Sequence, residues 1–333
     1  MKLRPFWMSM IGSAGAIALS ACGGGGGGGM SFIPAPPAAP TPTPTPTPTP
    51  APSGPIAPEH LGLVSGQPFA VLAEGDTYTT DATGQNNKPL AGPSIEAVQF
   101  SYNAASNSYQ ISVPGFQAGT LTNSSYNGTV GQPAGGSYNQ VSAGSTTALQ
   151  PLFVDLPVPG TEWSPYTYTS YGSWNGQTTT NSSGETVRQE GYFAYGIPTL
   201  AGDVPVMGSA AYSAQVLGTI GSGFWLPVTG TANLSFDFAA GKLSGSMHAG
   251  IFDNFDGIVW DFGKYDFTQT VYSTGSATFS GKFVIPAIPN ADSSFSGMFT
   301  GPKAAELMAR FEAPYVHDGQ QGTMSGVWVG KKN

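Results

Sequence analysis

Cysteine is almost absent from this chain: Cys22 is the only one in 333 residues. No intramolecular disulfide can form, so the fold has to be held by a hydrophobic core. Charge is scarce too. Only 9% of residues are Asp, Glu, Lys or Arg, and 11 basic residues stand against 19 acidic ones for a net charge of −8. That balance lacks the basic stripe that a nucleic-acid partner requires. Histidine occurs three times, at His60, His248 and His317, without the helical pair spacing of a metalloprotease, and no serine lies in a G-x-S-x-G elbow. Catalytic residues, cofactor and metal are therefore all expected to be none. His248 falls on the polar face of its strand and is expected to be solvated, and His317 sits in a glycine-rich loop beside Asp318. Asp253, Asn254, Asp256 and Asp261 crowd together, but their spacing departs from the calcium-loop pattern and lacks its closing Glu, so an acidic turn is expected.

Where the single cysteine lies is informative. Lys2 and Arg4 supply a positive start, residues 11–19 are largely apolar, and Leu19-Ser20-Ala21-Cys22 closes the segment. This is the pattern of a lipoprotein signal over residues 1–21, with Cys22 as the lipidated residue. The segment is too short and too rich in glycine for a permanent span. Acyl chains contribute about 0.8 kcal/mol per buried methylene, so two or more hold a protein firmly to a bilayer. Removing the signal also removes Lys2 and Arg4, taking the net charge from −8 to −10.

Residues 22–58 read as a stalk. Seven glycines at 23–29 give a flexible coil, and the Thr-Pro alternation of 41–50 favours extended polyproline geometry. At about 3.1 Å per residue, the proline-rich part reaches roughly 70 to 80 Å.

Beyond Glu59, apolar residues recur at every second position in short bursts bounded by Gly, Asn and Pro, which predicts antiparallel strands. Val98, Phe100 and Tyr102 alternate with polar residues, residues 103–107 turn, and Tyr109, Ile111 and Val113 resume the pattern. Residues 120–148 read mostly as loops. Strands are predicted at 166–174, 190–197 and 209–218, followed by a hairpin in which Ala232, Leu234, Phe236 and Phe238 share a face with Leu243, Gly245, Met247 and Ala249. Further strands are predicted at 265–272, 277–284, 294–300 and 323–330. Ala304, Leu307, Met308 and Phe311 follow Pro302 at helical spacing, which predicts one short helix over 302–311. The fold class is all-β. About eight strands favour a closed barrel, with a two-sheet sandwich as the competing architecture.

The run Phe295-Ser296-Gly297-Met298-Phe299-Thr300-Gly301-Pro302-Lys303-Ala304-Ala305-Glu306-Leu307, with the closing Gly326-Val327-Trp328-Val329-Gly330-Lys331-Lys332, resembles the C-terminal barrel of the transferrin-binding protein B family of surface lipoproteins. Gly208-Ser209-Ala210-Ala211-Tyr212 and Gly275-Ser276-Ala277-Thr278-Phe279 are similar to its strand repeats, and the glycine run after the lipidated cysteine fits as well. The resemblance implies a handle-like β domain over 59–160 and an eight-stranded barrel domain over 161–333. It also implies an outer-membrane, lipid-anchored, surface-exposed protein. Such a protein would bind an iron-carrying protein, haem or a related solute for uptake and work with an outer-membrane transporter. No ligand-contact motif of a transferrin binder is matched, so the resemblance does not name the ligand. A structural or adhesive envelope lipoprotein is the alternative.

Large aromatics gather in and beside the turns of the central hairpins: Phe224, Trp225, Phe252, Phe255, Trp260 and Phe262. Either they plug the end of the core, or those left exposed form a binding patch, since Trp and Tyr dominate binding hot spots. Phe224, Trp225, Phe255 and Trp260 are the candidate ligand-binding residues.

Overall fold

The computed structural model describes residues 69–81, 83, 88–89, 98–103, 108–114, 119–121, 136–140, 152–156, 165–220, 227–253, 258–285, 288 and 291–333. All of them belong to the second of two compact units, residues 54–333. Cys22, the predicted signal and the predicted stalk lie outside the described residues. Strands β1 (Ala70–Thr80), β2 (Lys88–Pro89), β3 (Gln99–Asn103), β4 (Ser108–Ser112), β5 (Gly119–Leu121), β6 (Gly136–Gln140), β7 (Leu152–Leu156), β8 (Thr169–Thr180) and β9 (Thr186–Gly196) come first. They make a six-stranded sheet in the order β2-β1-β9-β8-β7-β6 and a three-stranded sheet β3-β4-β5. Then follow β10 (Ser209–Thr219), β11 (Val228–Asp237), β12 (Lys242–Asp253), β13 (Ile258–Val271), β14 (Thr278–Val284), β15 (Ser294–Thr300), β16 (Glu306–His317) and β17 (Gln320–Lys332). These eight close into an antiparallel barrel, with β17 pairing back onto β10.

Alternation along each barrel strand fills the interior. On β11, Val228, Ala232, Leu234 and Phe236 are buried while Thr231, Asn233, Ser235 and Asp237 face solvent. The turn into β12 uses Gly241 at φ 62°, a left-handed backbone that glycine adopts at no steric cost. Inside, the Phe236 ring meets Phe299 at 4.7 Å and Phe279 at 5.2 Å between centroids, and Trp328 meets Phe295 at 5.2 Å and Phe267 at 5.4 Å. Each such ring buries on the order of 150–250 Å². An apolar interior with a polar outer wall is the reverse of a membrane-spanning barrel, which is apolar outside. Among the described residues no helix is long and apolar enough to cross a membrane.

Layers form on both faces of the six-stranded sheet. Against the three-stranded sheet it packs Ala73, Trp174, Phe193 and Tyr195 onto Val98, Phe100, Ile111 and Val113. Gly75 and Gly191 lie beneath the Trp174 indole, which occupies the space a Cβ would need at either position. Against the barrel wall the sheet packs Ala194, Tyr192 and Leu72 with Leu217, Met308, Val327 and Val329. β10, β16 and β17 are therefore covered on both sides.

That two-sided burial explains where the sequence expectation for residues 302–311 fails. Only a 3-10 turn forms, at Pro302–Ala304, and β16 begins at Glu306. Leu307, Ala309 and Phe311 point into the barrel while Met308 points at the six-stranded sheet, so apolar residues on opposite faces imitate a helical stripe. Two strands expected on the barrel side of residue 160, within 166–174 and 190–197, instead pair as β8 and β9 in the six-stranded sheet. The hairpins β3–β4 and β11–β12 and the strand Ser294–Thr300 form as expected.

Polar side chains also cross the seam. Tyr166 Oη donates to the Val329 carbonyl at 2.7 Å, and the buried Glu306 carboxylate accepts from the Thr167 and Tyr168 N–H groups at 2.7 and 2.8 Å. Deeper in the seam, Ser325 Oγ donates to Asp76 at 2.9 Å, Thr219 and Tyr78 donate to Glu190, and Arg310 lies 3.7 Å from Glu74. Burial pushes the Asp76 carboxyl up to about 7, with Glu190 and Glu312 adding repulsion against the Ser325 hydrogen bond. A carboxyl raised in the folded state binds its proton more tightly there than in the unfolded chain, where it titrates near 3.9. Stability from this group is full below pH 4 and is lost as pH rises toward 7. Asp76→Asn keeps an acceptor for Ser325 and should raise stability at pH 8 by about 1–2 kcal/mol while flattening its fall between pH 4 and 7. Denaturant titrations of both proteins across that range measure the effect; parallel pH curves would refute it.

Candidate functional site

One end of the barrel gathers the exposed aromatic and ionisable side chains of two hairpins, β12–β13 and β16–β17. Trp260 sits opposite Ile251 in the register, half-buried against the core, and its ring stacks on His317 at 4.5 Å and 23°. One layer deeper, Phe262 stacks on Tyr315 at 4.6 Å. Trp260 and Phe262, two residues apart, share a face of β13, and Phe262 occupies a bulge where the β12–β13 register shifts at Ala249/Gly250. These two stacks close the barrel end.

The outer face beside them is open. Phe252 and Val259 are register partners, 39% and 62% exposed. The Phe252 ring folds back over Gly250, whose missing side chain makes the room, and lies 6.5 Å edge-on from His248. His248 Nε2 is 2.7 Å from Asp261 Oδ1, and Asp261 also accepts the Gly263 N–H at 2.8 Å. The Gly263 hydrogen bond and then the His248 contact hold the Asp261 carboxyl below its ordinary value. The result is an aromatic platform next to an imidazole–carboxylate pair on the β12–β13 strands. Such a surface offers apolar contact and hydrogen bonding, the mixture that binding hot spots use. Among the described residues no group of three or more His, Cys, Asp and Glu could hold a metal ion.

Of the sequence candidates, Trp260 is at this end, turned inward as a plug. Phe224, Trp225 and Phe255 lie outside the described residues. The Phe252–Val259 platform and the His248–Asp261 pair were not singled out together by sequence. His248 and Asp261 both occupy the polar face of β12–β13, but only their diagonal register shows that they meet.

The fold is similar to solved structures of transferrin-binding protein B and of a surface lipoprotein. Intact Ap-TbpB, with its N and C lobes, shares 16% identity at a TM-score of 0.39, with 78% of this chain and 46% of that one covered. Isotype 1 TbpB from serogroup B Neisseria meningitidis shares 15% at 0.36, covering 78% and 44%. A structure described as a surface lipoprotein shares 15% at 0.32, covering 77% and 98%. The chain thus spans less than half the length of the first two. No protein-family model and no curated protein sequence matches it.

A plug and a platform respond differently to truncation. Trp260→Ala should cost about 2 kcal/mol by uncapping the core, whereas Phe252→Ser should change stability by less than about 1 kcal/mol. Chemical denaturation distinguishes the two; equal losses would mean that Phe252 is structural.

Proposed function

We propose that this chain is a lipid-anchored protein of the outer membrane surface that captures a ligand on the outer face beside the aromatic-capped barrel end. Phe252, Val259, His248 and Asp261 form the contact platform beside the Trp260 plug, and Phe224, Trp225 and Phe255 are added to the candidates from the sequence alone. The observation that carries the reading is the filled barrel. With Phe236, Phe299, Phe295 and Trp328 packed in the interior, recognition falls to the surface, where the exposed aromatic and the His–Asp pair sit. The ligand class is an iron-carrying protein, haem or a related solute, delivered to an outer-membrane transporter. The motifs at 295–307 and 326–332 support that class through their family resemblance. No catalytic step is assigned, and Cys22 carries the anchor.

The reading is tested by incubating the mature, non-acylated chain with ligand-rich medium under iron starvation and identifying what it retains. A saturable ligand is expected, with retention reduced at least tenfold by Phe252→Ser combined with Trp225→Ser. Unchanged retention in that variant removes this end from the site. If nothing saturable is retained and deletion alters only surface attachment, the adhesive role replaces capture.

A further inference from the structure

The opposite end of the barrel has a different character. The connection from β9 to β10 buries Val204 in the barrel end and is pinned by Thr199 N–H to the Phe299 carbonyl at 3.0 Å and by Asp203, which accepts the Lys303 N–H at 2.8 Å. On this fixed segment Leu200, Val206 and Met207 are 64%, 55% and 79% exposed. Three large apolar side chains held in water by an ordered loop ask for a partner.

Charge at the same end narrows the partner. Outside the predicted signal the chain has nine Lys and Arg residues, and four of them, Lys242, Lys303, Lys331 and Lys332, are exposed around this end. Lys242 begins the strand after the turn whose Phe238 N–H binds the Gly208 carbonyl. Lys332 Nζ lies 3.3 Å from the Lys303 carbonyl, which brings the C-terminal lysines to the loop. The nearby acids are engaged: Asp203 as above, and Asp237 by the Ala240 N–H at 2.8 Å. Finally, β1 begins here. Ala70 pairs with Gly196, the last residue of β9, immediately before the exposed connection. The chain arriving from the Cys22 side therefore enters the fold beside the apolar residues and the lysines.

We propose that this end is a membrane-docking face: Leu200, Val206 and Met207 insert at the headgroup boundary while the four lysines meet anionic lipid headgroups. The proposal rests on the anchored reading above. Apolar insertion with a basic surround is how a weakly bound face holds to an anionic bilayer, and an anchor makes the contact intramolecular, so low affinity suffices. The face turned to the bilayer would leave the Phe252 end pointing outward.

The test is vesicle flotation of the mature chain carrying Cys22→Ser, which has no acyl group. Vesicles are phosphatidylcholine alone or phosphatidylcholine with phosphatidylglycerol at roughly one lipid in three, a strongly anionic surface. Flotation with the anionic vesicles and not the zwitterionic ones is expected. Lys303→Gln with Lys331→Gln should weaken it about 25-fold, at about fivefold per lysine. Val206→Ser with Met207→Ser should weaken it about tenfold, with the circular dichroism spectrum unchanged. Absent flotation, flotation indifferent to lipid charge, or flotation unchanged in both variants would overturn the proposal. So would a solution dimer dispersed by the Val206/Met207 variant, because the occupant would then be a second copy. Ligand retention measured on the same proteins keeps the two readings apart: intact capture with lost flotation refutes docking alone, and the converse refutes capture alone.

Discussion

Closing eight strands around aromatic rings is the constraint from which the rest of this molecule follows. A barrel of this size has an interior just wide enough for side chains to fill. Here Phe236, Phe279, Phe295, Phe299 and Trp328 fill it, with the centroids of neighbouring rings 4.7 to 5.6 Å apart. The interior has become structure, and its outer wall remains polar on β11 and neighbouring strands. Chemistry that a lipocalin-like barrel would place inside is displaced to the ends and to the one wall that carries another layer.

That wall carries a cost as well as a contact. β10, β16 and β17 bury apolar residues on both faces, which adds area that an isolated barrel would not have. The same seam takes Glu74, Asp76, Glu190 and Glu306 out of water. Three of them are given hydrogen-bond donors, Ser325 for Asp76, Thr219 and Tyr78 for Glu190, two backbone N–H groups for Glu306, and Glu74 has the Arg310 guanidinium 3.7 Å away. Fixed donors make the register of sheet against barrel unique, because a slip would leave a buried carboxylate without them.

How legible this was depends on how each strand is solvated. β15 was read with both ends correct, and the β11–β12 hairpin with its turn, because one face is apolar and the other polar. β16 was misread because its neighbours cover it twice, so the period of two disappears into a run of Leu, Met, Ala and Phe. β1 was not anticipated: its residues alternate poorly, and Glu74 and Asp76 find their place only once the barrel is there to donate to them. At the candidate site, the concentration of aromatics was visible in the sequence. Their division into plug and platform was not, since Trp260 meets His317 through barrel closure, and Phe252 is laid flat by the glycine two residues before it.

The two ends differ in what they bring to the surface, and the difference follows from topology. Antiparallel up-and-down strands send alternate connections to alternate ends, so each end is built from its own set of loops. The hairpins joining β12 to β13 and β16 to β17 carry both of the described histidines and the exposed Phe252. The β9–β10 connection and the C-terminal residues carry exposed apolar side chains and lysines. The six-stranded sheet adds a further asymmetry, because β1 runs antiparallel to β9 and so must begin where β9 ends. Entry of the chain at the lysine end is thus a consequence of sheet pairing. The aromatic platform, carried by the β12–β13 hairpin, therefore lies at the barrel end opposite the one where β1 begins.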